Sequence, residues 1–85
     1  APFNRGIAHL RLDKYDFAAR DFSEVIGMQP KNADAYVYRG IIRIYQGKDK
    51  EADADLQKAF QINPALKKKL QPIIDDAKNK AKAKE

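Results

Sequence analysis

The chain of 85 residues offers one histidine, one serine and no cysteine to nucleophilic or metal chemistry. Without a thiol there is no disulfide, no thiolate zinc site and no cysteine nucleophile. His9 alone falls short of the common zinc constellations, and Ser23 has no histidine and acid arranged around it in a motif that would activate its hydroxyl. Asp75 and Asp76 are adjacent, so a helix carries them to different sides, a poor geometry for acid–base work or chelation. The scattered glycines form no phosphate-binding loop. These residues predict no catalytic group, no metal and no cofactor, so the chain is not expected to be an enzyme. What does recur is charge: Arg5 precedes Asp21 by the same interval as Arg39 precedes Asp55, a spacing that suits a structural ion pair between two helices.

That recurrence belongs to a larger one. Shifted by 34 residues, the sequence meets itself: Arg5-Gly6 falls on Arg39-Gly40, Ala18 on Ala52, Asp21-Phe22 on Asp55-Leu56, Val25 on Ala59 and Pro30 on Pro64. Phe3, Ile7 and Leu10 fall on Val37, Ile41 and Ile44. Each unit reads helix, turn, helix. In the first unit, helices are expected over about 2–12 and 16–28, with a turn around Asp13–Tyr15. In the second, Asn32 caps a helix over 33–46 whose apolar residues Tyr36, Val37, Gly40, Ile41 and Ile44 have helical spacing. Gly47 supplies a left-handed stop, and Asp49 caps a helix lined by Ala52, Leu56, Ala59 and Phe60. Pro64, preceded by Asn63 as cap, opens a further helix. Its Leu66, Leu70, Ile73 and Ala77 form one apolar face, and Pro72 is expected to kink it rather than end it. Loops this short make consecutive helices antiparallel.

The composition fits one small domain of that kind, 44% hydrophobic and 34% charged. No run is long enough to cross a bilayer, and no signal peptide is present. The chain opens at Ala1 rather than Met, which suggests a processed product or a piece of something longer, and a cysteine-free chain suits reducing and oxidising compartments alike. The net charge of +5 is uneven: residues 1–66 hold ten Lys/Arg against nine acids, and residues 67–85 hold seven Lys against three. The basicity therefore belongs to the C-terminal segment.

The second unit, 33–64, resembles a tetratricopeptide repeat (TPR). Tyr36, Gly40, Ala52, Leu56, Ala59 and Pro64 occupy that family's pattern positions, with Arg43 in place of an aromatic. In the first unit Gly6, Ala18, Phe22 and Pro30 match, with His9 in place of the aromatic and Val25 in place of a small residue. The resemblance implies an all-α fold of antiparallel helix-hairpin repeats, a TPR-like α-solenoid of about five helices. Residues 1–30 would be a first repeat with a truncated first helix, 31–64 a second repeat, 65–77 a capping helix and 78–85 a frayed basic tail. It also implies a groove lined by Phe3, Ile7, Leu10, Arg11, Val37, Ile41, Ile44 and Tyr45. The polar clamp that some TPR grooves use for acidic peptide tails would fall on Phe3, Ile7 and Tyr38 and is not retained, so a ligand should be held by apolar contacts.

The expected function is a non-catalytic module that binds a protein or peptide on this apolar concave face, and also self-associates as a homodimer because two repeats are few for a stable array. An alternative reading lets the C-terminal segment fold back over the groove, making it ordinary core. A second alternative puts the lysine-rich end on nucleic acid or an anionic surface; against nucleic acid, no aromatics interleave the lysines for base stacking. His9 is expected to be a packed side chain.

Overall fold

The computed structural model describes residues 1–83. Five helices follow one another: α1 (Pro2–Arg11), α2 (Tyr15–Met28), α3 (Ala33–Tyr45), α4 (Asp49–Ile62) and α5 (Ala65–Ala83). No strand occurs among the described residues. α1 packs on α2 and α3 on α4 as two hairpins, and α3 lies broadly against α2 to join them. The fold is therefore all-α and built of helical-hairpin repeats.

Local chemistry sets the helix ends. Pro2 stands in the first turn of α1, where a missing N–H costs nothing. The Asn32 side chain accepts from the Ala35 amide at 3.1 Å and so caps α3. Asp49 does not cap α4 as its sequence suggested. Lys48 is the boundary residue, and Asp49 with Glu51 lies inside the first turn, favoured by the helix dipole. α5 likewise begins one residue after Pro64.

Both hairpins turn the same way. Gly47 has φ +76°, and its counterpart one period earlier, Asp13, has φ +58°. Around Gly47 the amides of Gly47 and Lys48 donate to the carbonyls of Ile44 and Arg43, and around Asp13 those of Asp13 and Lys14 donate to Leu10 and His9. One left-handed residue thus closes each hairpin, although only the second announces it with a glycine.

The core follows from close approach. A Cβ on Gly6 would stand 2.8 Å from the Phe22 ring, and one on Gly40 would stand 2.9 Å from Leu56. The larger residue of each pair fills the space the glycine leaves. One cluster holds Ala18, Phe22, Val25, Ala35 and Ile42, and a second holds Ile44, Ala52, Leu56, Ile74 and Ala77. Phe22 and Ile42 are fully buried, each contributing about 1.5–3 kcal/mol. Across the seam between the hairpins Phe22 stacks on Tyr38 (5.0 Å) and Tyr15 on Tyr45 (5.3 Å). Arg39 donates to the Ser23 hydroxyl at 3.2 Å and Gln46 to Asp16 at 2.7 Å.

Pro72 does not end α5, as expected; Pro72 and Lys68, whose carbonyl the proline leaves unpaired, both lie on exposed positions, so water can reach that carbonyl. α5 departs from expectation in two ways. Its buried stripe uses Ile74 and Ala77, flanked by the half-buried Leu66 and Leu70, while Ile73 is 52% exposed. It also continues past Ala77, because Ala81 still rests on the cluster around Ile44, giving the Lys/Ala segment something to pack against. Of the expected frayed tail, Lys84 and Glu85 lie outside the described residues.

Candidate concave groove

Two charged triads fix how the helices of each hairpin face one another. Arg5 donates through Nε to Asp21 at 3.0 Å, and His9 Nδ1 stands 2.8 Å from the other carboxylate oxygen. One period later Arg39 makes a two-pronged contact with Asp55 at 2.9 and 2.7 Å, and Arg43 adds 2.8 Å. Both carboxylates are buried, and both expected Arg–Asp pairs are formed. Burial by itself would raise Asp21, but the hydrogen bonds from Arg5 and His9 outweigh it and hold the carboxyl below the usual carboxylate range. Hydrogen bonding to Asp21 raises Arg5, and hydrogen bonding to Asp55 raises Arg39, above the ordinary guanidinium value. Sequence reading found the arginine at the start of each triad and missed the second member. The signal was there: His9 and Arg43 share the 34-residue offset and follow Arg5 and Arg39 by one helical turn. These groups are structural; they lie between paired helices.

The other face is mainly apolar. α1, α3 and α5 bound two clefts that meet at Ile41. One, of about 390 Å³, is lined by Phe3 on α1, by Asp34, Val37, Tyr38 and Ile41 on α3, and by Leu66, Lys69, Leu70 and Ile73 on α5. The other, of about 530 Å³, is lined by Leu10, Asp13, Tyr15, Ile41, Tyr45, Lys80 and Ala83. Asp76 sits 3.1 Å from Lys80 and raises its ammonium above the ordinary lysine value.

Of the residues expected in the groove, Phe3, Leu10, Val37, Ile41 and Tyr45 line these clefts. Ile7 packs against the Phe22 cluster instead, Ile44 is buried beneath α5, and Arg11 is exposed away from both clefts. Val37, although it borders a cleft, is itself buried. Tyr38, Leu70 and Ile73 enter the walls without having been singled out as groove residues. The first followed from how α3 sits on α2, and the others from the placement of α5.

The pattern positions behave unevenly. Gly6, Ala18, Phe22, Gly40, Ala52, Leu56 and Ala59 are buried at helix contacts, Tyr36 is half-buried, and Pro30 and Pro64 are exposed between helices.

No family model matches the chain, and no solved structure matches it. Among curated proteins it is similar to sperm-associated antigen 1 of Mus musculus, 32% identical over 79 residues, and to the protein of that name from Homo sapiens, 32% identical over 85 residues. The similarity covers 89% and 96% of this chain but 9% of each relative, so the chain spans about a tenth of the length of the proteins it matches. No helix among the described residues is long and apolar enough to cross a membrane.

Proposed function

We propose that the chain is a TPR-type protein-interaction module, non-catalytic, that takes an apolar peptide or helix along the face bounded by α1, α3 and α5. The observation that carries this reading is the pair of clefts joined at Ile41, whose walls are built mainly from Phe3, Leu10, Tyr38, Leu70 and Ile73, with the charged Asp13, Asp34, Lys69 and Lys80 among them. The 34-residue repeat and the similarity to a stretch of sperm-associated antigen 1 support it. The test is selection of binding peptides from a random display library, followed by titration against the parent chain and against Ile41→Lys and Leu10→Lys. Selected peptides should lose at least ten-fold in affinity for both variants while the variants melt like the parent. Peptides that bind parent and variants alike would rule the groove out.

Self-association is favoured by one further observation. In the second hairpin Ile42 is fully buried and Gln46 half-buried against α2, whereas their counterparts, Ala8 on α1 and Leu12 just after it, are exposed, Leu12 to 65%. A second copy would cover that side of α1. Light scattering should show a mass that rises with concentration and returns to the monomer value in Leu12→Lys; a parent chain that stays monomeric at millimolar concentration sinks this part.

A further inference from the structure

α5 does not occupy the place the repeat assigns to it. One period after α3, the residues that face the preceding hairpin should be Lys69 and Asp76, the counterparts of Ala35 and Ile42, which are fully buried. Lys69 and Asp76 are instead exposed. The residues α5 buries, Ile74 and Ala77, are the counterparts of Gly40 and Arg43, which on α3 face its own hairpin partner. At 3.6 residues per turn the helix is rolled by roughly a third of a turn. Rolled in this way, it lies mainly against α3 and only lightly against α4, unlike the broad contact of α3 with α2. It covers Ile44, packs beside Ile41 and Tyr45, and borders Val37. Those four residues are the α3 half of the eight the sequence marks for a ligand.

The hold is also slight. Along its length from Ala65 to Ala83, α5 buries two residues, whereas the shorter α3 buries five. Pro72 removes one of its backbone hydrogen bonds. Its ion pair to α4, Lys78 to Asp53, is 3.9 Å long between half-exposed side chains. A helix seated on an apolar floor by a narrow stripe, with a lysine-rich outer side, is bound much as an amphipathic peptide is bound.

We propose that α5 is a detachable internal ligand of the concave face, and that the partner this face takes is an amphipathic helix with the apolar spacing of Leu66, Leu70, Ile74, Ala77 and Ala81. This rests on the groove reading above for its α1 and α3 surfaces and names the ligand class, with the incoming helix taking the place of the α5 wall. Such a partner displaces α5 rather than adding to it. Tethered by the short Asn63–Pro64 link, α5 competes at a high effective concentration, so the intact chain binds an outside helix weakly.

The test uses a fluorescent peptide of residues 65–83 as probe, titrated into the full chain and into the full chain carrying Ile74→Asp and Ala77→Asp, whose own α5 cannot dock. The double variant should bind the peptide at least ten-fold more tightly than the parent does. A folded double variant that ignores the peptide overturns the proposal. Should the variant fail to fold, hydrogen exchange on the unmodified chain decides. Amides of α5 exchanging through an opening that leaves α2 and α3 protected support it, and equal protection of α5 with α2 and α3 overturns it. If library peptides bind the parent in an Ile41-dependent manner while the α5 peptide binds neither chain, the groove stands and the internal ligand falls.

Discussion

Single residues carry two of the clearest consequences. Asp13 holds a left-handed conformation that its counterpart Gly47 adopts without strain. Asp13→Gly should therefore raise stability by up to about 1 kcal/mol, with the lost Tyr15 hydroxyl contact to Asp13 offsetting part of the gain, and Gly47→Ala should cost about 1 kcal/mol; urea denaturation reads both. Asp21 gives a pH dependence. Its folded carboxyl lies below its unfolded value, so its contribution is fully present above about pH 4 and is lost as pH falls through the folded value. Asp21→Asn should cost about 1–3 kcal/mol at neutral pH, the penalty of breaking a buried hydrogen-bonded pair. It should also flatten the fall of stability below pH 4, which acid titration followed by circular dichroism will show. A variant as steep in acid as the parent would mean that other carboxylates carry the acid response. The arginine partners were legible because identical residues recur at one offset. Asp13 was not, because aspartate at a turn reads as a cap or a bend before it reads as a substitute for glycine.

At the scale of the helix, the glycines and the proline make opposite claims. Gly6 and Gly40 sit where a methyl group would overlap Phe22 and Leu56, and at Gly40 the Ala52 carbonyl is also within 3.3 Å. Gly40→Ala should destabilise by about 1–3 kcal/mol through overpacking, beyond the gain that alanine brings to a helix elsewhere. A neutral result by calorimetry would mean the hairpin can open without loss. Pro72→Ala restores an N–H on an exposed turn and should slow exchange across α5 several-fold while leaving α1–α4 unchanged. Helix number, order and turns were readable from period and caps. The roll of α5 was not: Ile73 and Ile74 are neighbours of equal apolarity, and which one turns inward depends on where α5 comes to rest on α3. That also explains why Ile44 proved to be core, and why the Lys/Ala end stays helical once Ala81 finds a surface.

For the whole molecule, the groove is the feature that spans both units, and its floor and one wall were visible in the sequence while its far wall depended on α5. The bonds that join the hairpins span modest stretches of the chain. Arg39 reaches Ser23 across 16 positions and Gln46 reaches Asp16 across 30. Loop-closure cost grows only slowly with such separations, and helical bundles dominated by contacts within their hairpins assemble in microseconds to milliseconds. Either hairpin can form first, and the Phe22–Tyr38 stack then closes the seam between them. Stopped-flow refolding should accordingly be fast. Removing the Tyr38 ring should accelerate unfolding more than it slows collapse, since that stack closes last.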